Sequence, residues 1–223
     1  MAHLTCLDLG RAAYLPTLDL QLRLADEVRA SGGEAAWLLL VEHEPPAVTL
    51  GRRGREADIL ASRAALAARG VEIHRATRGG EATVHGPGQL VGYPILAFRE
   101  LGLSLRGYVA ALEEALIRTL RRFGAEGQRL DGLTGVWAGG RKVAAIGVAA
   151  SRWVAYHGFS LNVAADLSAF DWIVPCGSLG GGVTSLSRLL GRGVSVCEVK
   201  PAIAECFAEV LGLDAASRAP APK

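Results

Sequence analysis

The sequence predicts an α+β fold, a mixed β-sheet flanked by helices. Three observations carry that prediction. Half of the 223 residues are hydrophobic, enough to bury one large core in one domain. Apolar runs of strand length come in clusters separated by helical stretches, not as regular βαβ units. A single glycine-rich run, Arg78-Gly79-Gly80-Glu81-Ala82-Thr83-Val84-His85-Gly86-Pro87-Gly88-Gln89, sits between two of those clusters.

The elements follow in chain order. Pro16 to Ala30 reads as a helix, with Thr17 or Asp19 as its cap and Leu18, Leu22 and Ala25 at helical spacing. Ala36 to Glu42 is a buried strand stopped by Pro45-Pro46, and Ala47 to Leu50 is a second strand ending at Gly51. Asp58 to Ala68, rich in Ala and Leu, reads as a helix closed by Gly70. Val71 to Arg75 leads into the glycine-rich run as a strand, and Leu90 to Ala97 leaves it as another. Leu105 to Phe123 carries the clearest helical face, with Val109, Leu112, Leu116 and Leu120 aligned and Gly124 at its end. Val136–Trp137, Val143 to Ala149 and Val154 to Val163 read as strands, the last two joined as a hairpin through Ser151 and Arg152. Leu167 to Trp172 is a turn or short helix, Ser185 to Leu190 a short helix, and Pro201 to Leu211 the last one, with its proline in a tolerated first turn. One domain is expected over residues 1–214, and the tail 215–223, rich in Ala and Pro, is expected to fray.

Composition excludes several functions. A net charge of +2 argues against general nucleic-acid binding. No apolar run reaches the ~18 residues of a membrane span, and the first ten residues do not read as a secretory signal. The four cysteines, Cys6, Cys176, Cys197 and Cys206, form no C-x-x-C pair, so free thiols in a reducing cytoplasm are the default. No Gly-x-Ser-x-Gly elbow and no His-Glu-x-x-His helix is present. Nothing in the spacing of His85, His157 and Cys176 favours a metal.

The glycine-rich run is too broken for a helix and unlike an ordinary core strand. Its glycines let main-chain N–H groups approach a ligand, and its Arg, Thr, His and Gln supply polar contacts. Cys176 lies between a proline and a glycine at the end of an apolar run, a junction from which a thiol can enter a cleft. Cys6, Cys197 and Cys206 read as structural packing. A thiolate near pH 7 requires shifting a pKa of about 8.5 by ~2 kcal/mol. One ammonium at about 4 Å supplies ~4 kcal/mol at an effective dielectric of about 20. Of 24 basic residues only Lys142, Lys200 and Lys223 are lysines. Lys142 opens an apolar strand directly after Arg141, in a chain that otherwise supplies surface charge with arginine. A solvated strand-end charge is the plain alternative for Lys142, and a Cys–His pair using His85 or His157 is the alternative for the thiol.

These blocks together resemble the lipoyl(octanoyl) transferase family, the octanoyltransferases of lipoate biosynthesis. The matching segments are Glu42-His43-Glu44-Pro45-Pro46 through Leu50-Gly51, the run from Arg78 to Gln89, Gly135-Val136-Trp137, Lys142 to Gly147, Tyr156 to Val163, and Ile173-Val174-Pro175-Cys176-Gly177. They stand in the family's order over residues 35–190. The resemblance implies a biotin/lipoate ligase-like catalytic domain that needs no cofactor. It implies octanoyl transfer from octanoyl-acyl carrier protein to a lysine on lipoyl domains of ketoacid dehydrogenases or on the glycine cleavage H protein. Cys176 matches the acyl-thioester nucleophile, and Lys142 matches the partner that lowers its pKa and shuttles protons. Arg78, Gly79, Gly80, Glu81, Ala82, Thr83, Val84 and His85, with Ala145, Ile146, Gly147, Gly158, Phe159 and Ser160, match the walls that bind the acyl chain. Val84 departs from the family, which commonly carries Tyr there, so a wider pocket is expected at that point. A monomer is the working expectation, with neither nucleic acid nor membrane as a partner. Arg52, Arg53 and Arg55 would steer acidic protein partners or form a solvated loop.

Two other activities fit parts of the same pattern. An ATP-dependent lipoate or biotin-type ligase would form an adenylate and dispense with the cysteine. A non-catalytic acyl- or carrier-protein-binding module would need neither residue.

Overall fold

The computed structural model of the chain describes residues 3–174 and 182–219. Its elements, in order, are β1 (His3–Ala12), α1 (Tyr14–Ala30), β2 (Ala35–His43), β3 (Ala47–Leu50), α2 (Arg63–Ala67), β4 (Glu72–Arg75), β5 (Ala82–His85), β6 (Gln89–Ala97), α3 (Leu105–Arg122), β7 (Gln128–Leu130), β8 (Leu133–Ala138), β9 (Arg141–Ser151), β10 (Val154–Asn162), α4 (Leu186–Leu190), α5 (Val196–Leu211) and β11 (Asp214–Ala219). Two 3-10 segments, Glu56–Asp58 and Leu167–Trp172, complete them.

Eight strands form one sheet in the order β11-β1-β2-β6-β10-β9-β8-β7, and a second, three-stranded sheet runs β4-β3-β5. In the large sheet β1 pairs in parallel with β2 and β11, and the remaining neighbours are antiparallel. The predicted α+β class is therefore observed, as a mixed sheet with helices against it. One face of the large sheet buries Leu38, Leu40, Leu90 and Leu161 under α3 and α5, through Leu112, Leu116, Ile203 and Phe207. The other face packs Leu39, Val41, Val91 and Ile95 against Leu24, Ala25 and Val28 of α1. This is the two-residue alternation of a strand covered on both faces. The small sheet has its own core of Val48, Leu50, Leu66 and Val84. Among the described residues no helix is long and apolar enough to cross a membrane.

Several boundaries differ from the expectations. Helix α1 starts at Tyr14, with Ala13 at its N-cap and no side-chain cap, while the Thr17 hydroxyl donates back to the Ala13 carbonyl at 2.8 Å. The expected helix 58–68 is a 3-10 turn followed by the short α2, capped by Ser62. Helix α5 begins at Val196 under a capping box of Ser195 and Glu198, so Pro201 lies inside it. Cys197 is exposed, unlike the buried Cys6 and Cys206, because it sits in the first turn of that helix. Part of the glycine-rich run is a strand after all. Residues 82–85 form β5, which pairs with β3. Residues 215–219 of the expected frayed tail instead belong to β11, parallel to β1 at the sheet edge, where the outer hydrogen-bonding groups of β1 would otherwise face solvent.

Candidate functional site

The site lies where the glycine-rich run crosses strands β9 and β10. Thr77 and Arg78 enter it from β4, and the main chain anchors there. The Gly79 amide donates to the Val148 carbonyl at 2.9 Å, and the Arg52 amide donates to the Arg78 carbonyl at 3.0 Å. The Arg78 guanidinium, itself buried, donates to the carbonyl of Thr49 at 2.7 Å, to its hydroxyl at 2.8 Å and to the Glu81 carbonyl at 3.0 Å. Arg78 thus fastens the run to the small sheet, as the planar fork of an arginine suits. Glycines keep the facing strands close to the run and to each other. A Cβ on Gly147 would stand 3.0 Å from both the Arg78 Cδ and the Gly79 carbonyl oxygen, and one on Gly158 would stand 2.2 Å from the Gly92 carbonyl.

A cavity of about 560 Å³ opens there, within the range of about 300–1,000 Å³ usual for small-molecule sites. Arg78, Gly79, Gly80, Glu81, Ala82, Thr83 and His85 line it, together with Ala145, Ile146, Gly147, Gly158, Phe159, Ser160 and Lys142. Val84 is the exception among the expected wall residues. It points into the small-sheet core with Val48 and Leu66, because successive residues of a strand face opposite sides. Its departure from Tyr therefore does not widen the cavity. Residues not singled out from the sequence also line the cavity, among them Tyr14, Tyr93, Leu105 and Phe170. Leu105 reads from the sequence simply as a helix residue, and Tyr14 falls before the expected helix start at Pro16, although α1 includes it. A second, more open depression of about 750 Å³ lies beside it, with Leu60, Arg141, Asp166 and Arg188 on its walls.

Lys142 is 8 % exposed and lies on β9. Its amide donates to the Gly182 carbonyl at 3.1 Å and its carbonyl accepts from the Thr184 amide at 2.9 Å. Cys176 lies outside the described residues. The chain on its two sides is anchored. The Val174 amide donates to the Asp58 carbonyl at 2.7 Å, and Val183 forms a parallel bridge with Lys142.

The histidines of the site are held neutral. His85 donates from Nδ1 to the Gln89 Oε1 at 2.7 Å. Gln89 Nε2 donates in turn to the Asn162 Oδ1 at 2.9 Å, and Asn162 Nδ2 donates to the Thr184 carbonyl at 3.0 Å. This chain of bonds ends one residue link from Lys142. Burial pushes His85 down to about 3, so it is a hydrogen-bonding group and not a base near neutral pH. His43 donates from Nδ1 to the Ala12 carbonyl at 3.0 Å, which leaves Nε2 to accept from the Tyr93 hydroxyl at 2.6 Å. Burial lowers its pKa to about 4. His157, with a left-handed φ of 57° inside β10, turns its amide to the Gln21 side-chain carbonyl at 2.9 Å and places Nε2 3.1 Å from the Thr77 hydroxyl. Burial and then the Arg78 charge depress it to about 3. A strained φ in a non-glycine residue costs on the order of 1–3 kcal/mol and concentrates at functional sites. No cluster of metal-ligating side chains occurs among the described residues.

Fold and cavity together define an α+β domain with a small-molecule site. The family described as the lipoyl protein ligase A/B catalytic domain matches residues 13–208. The octanoyltransferase of Solibacter usitatus is 48% identical over 206 residues, spanning 92% of each chain. That of Acidobacterium capsulatum is 53% identical over 196 residues, spanning 82% of this chain and 79% of its own. A structure of a bi-partite lipoate protein ligase and its E2 lipoyl domain from Thermoplasma acidophilum superposes with a TM-score of 0.77 at 17% identity, over 100% of this chain and 89% of that one; this likeness concerns the fold. The chain belongs to the lipoyl protein ligase A/B catalytic domain family, and its relatives at 48% and 53% identity make it an acyltransferase of lipoate biosynthesis.

Proposed function

We propose that this acyltransferase moves its octanoyl group by way of a thioester on Cys176, with Lys142 as ionic and proton-handling partner. The donor is octanoyl-acyl carrier protein and the acceptor a lysine of a lipoyl domain, in ketoacid dehydrogenases or the glycine cleavage H protein. The observation that carries this reading is the position of Lys142. It is a buried lysine lining the glycine-walled cavity, with its main chain bonded to Gly182 and Thr184, which follow the segment bearing Cys176. Cys176 is six residues before Gly182 and two after Val174, so the chain can bring its sulfur to the ammonium.

The steps balance without a cofactor. The Cys176 thiolate attacks the donor thioester carbonyl and a new C–S bond forms. The donor thiol leaves and takes a proton from the Lys142 ammonium. The acceptor lysine, having lost one proton to solvent, attacks the acyl-enzyme and gives a second proton to neutral Lys142 as the C–N bond forms. The Cys176 thiolate then departs. One thioester replaces another in the first step, so little free energy is required there. The apolar walls of the cavity, from Ile146 to Phe159, suit an alkyl chain. A reducing cytoplasm keeps the thiol available.

Intact-mass spectrometry after incubation with octanoyl-carrier protein tests the reading. An octanoyl adduct is expected on the wild type and absent from Cys176→Ala. Product formed only with ATP supports a ligase instead, and binding without adduct or product supports a passive module.

A further inference from the structure

Trp137 is the residue directly opposite Lys142 in the β8–β9 pair. The Lys142 Nζ stands 4.8 Å from the centroid of its indole ring, inside the roughly 6 Å over which an aromatic face attracts a cation. Both side chains are withdrawn from water, Trp137 at 3 % and Lys142 at 8 % exposure, which strengthens that attraction. Lys142 lines the cavity and Trp137 does not, so the ring supports the ammonium from behind.

The surroundings hold this pair in place. Gly135 has φ of +136°, and a Cβ there would stand 2.8 Å from the Ala144 carbonyl, 3.4 Å from the Trp137 ring and 3.5 Å from the Lys142 Cε. The φ and the approach to the Ala144 carbonyl require glycine there, and the Trp137 ring and the lysine stem lie at ordinary van der Waals distance from it. The Gly135 amide donates to Glu113 Oε1 at 3.0 Å. Glu113, on α3, is anchored by Arg129 Nε at 3.2 Å. The core helix thus fixes β8, and Gly182 and Thr184 hold the Lys142 main chain.

We infer that Trp137 is a positioning residue for acyl transfer, its indole face holding the Lys142 ammonium toward the cavity. The inference rests on the reading of Lys142 as the partner of the Cys176 thiolate. Its chemical logic is that an aromatic face stabilises an ammonium without adding an anion that competes with a thiolate for it. A carboxylate in the same place would compete.

The test uses the full-length chain with Trp137→Leu and Trp137→Phe. The alkylation rate of Cys176 by iodoacetamide is followed against pH, with kcat and KM for octanoyl transfer alongside. Trp137→Leu is expected to slow alkylation at pH 7 about five- to thirtyfold, about 1–2 kcal/mol. It should lower kcat by a similar factor and leave KM for the donor near its original value. Trp137→Phe, which keeps a weaker face, should recover part of both. A merely structural role would lower stability yet leave the alkylation profile in place. An unchanged profile in Trp137→Leu, or in Trp137→Phe should the leucine variant fail to fold, overturns the inference. The underlying reading fails separately, if Cys176→Ala still forms the octanoyl product.

Discussion

The Gln89 carboxamide donates to the Asn162 carboxamide at 2.9 Å, across the pair β6–β10. That bond is the middle of a chain running from His85 to the Thr184 carbonyl. The polarity is fixed at every step, since Gln89 accepts from a histidine N–H and Asn162 must donate to a carbonyl. A single isosteric change reverses one step. Asn162→Asp loses the donor to Thr184 and faces its carbonyl with a carboxyl that is 4 % exposed in its native frame. Burial raises the pKa of such a group. Protonated, it restores the donor, and ionised, it repels. The variant is expected to lose about 1–3 kcal/mol of stability at pH 5. Because the folded-state pKa is raised above the unfolded value of about 3.9, the deficit should grow by up to about 1.36 kcal/mol per pH unit from there up to the raised pKa and level off above it. Urea denaturation at pH 5 and pH 8 measures this, and a deficit independent of pH contradicts the assigned polarity.

Gly147 controls the bore of the cavity. A methyl group there meets the Arg78 Cδ, the end of a flexible stem, and the Gly79 carbonyl, both at 3.0 Å. A few tenths of an ångström of movement accommodates it, so Gly147→Ala should fold with a cost near 1 kcal/mol. It should raise KM for the octanoyl donor and favour shorter acyl chains. Gly158→Ala differs, because its methyl group would stand 2.2 Å from a main-chain oxygen, and it is expected to lose several kcal/mol or fail to fold. Thermal melts and a series of acyl-chain lengths separate the two. Equal behaviour of the two variants contradicts this account of the wall.

Those walls were legible in the sequence because glycine beside arginine and histidine is an unusual combination, and because the blocks fall in a family's order. Strands β2, β6, β9 and β10 announce themselves as apolar runs. Strand β1 does not, since its second half carries Asp8, Gly10 and Arg11, which are exposed. Its pairing with β2 is a long-range fact. Strand β11 was hidden in an Ala-rich tail whose pairing depends on a free edge at the far end of the chain. The direction of Val84 was missed because a strand inside a glycine-rich run reveals its two faces only once β3 is known to lie beside it. Tyr14, Tyr93 and Trp137 carry no local signal of the cavity or the lysine they touch, for that contact is made by the sheet order.

Lys142→Arg separates the two roles assigned to this position. Arginine keeps a cation on β9 but cannot give up its proton. Cys176 should remain more reactive to alkylation at pH 7 than in Lys142→Ala. Overall transfer should fall by roughly a hundredfold or more, the usual contribution of a positioned proton carrier. Single-turnover assays locate the loss, with loading of the acyl group less affected than its delivery to the amine. Transfer at the original rate in Lys142→Arg rules out the proton-shuttle role.

Three buried histidines make the fold sensitive to mild acid. His43 is depressed to about 4, and His85 and His157 to about 3, in each case chiefly by burial. An unfolded histidine titrates near about 6.5. Between pH 6.5 and these values the unfolded chain binds protons that the folded chain refuses, so stability is complete above about pH 6.5 and falls as pH drops. Each histidine contributes at most about 1.36 kcal/mol per pH unit across that window. The free energy of unfolding should therefore fall steeply from pH 6.5 to pH 4.5, before most carboxylates begin to titrate. His157→Asn removes one of the three and leaves the Arg78 charge in place. Its slope over the same interval should be shallower by about one proton, even if the variant is less stable at pH 7. Denaturation midpoints at half-unit steps of pH supply the slopes, and parallel curves for the two proteins would show that His157 takes up a proton in the folded chain.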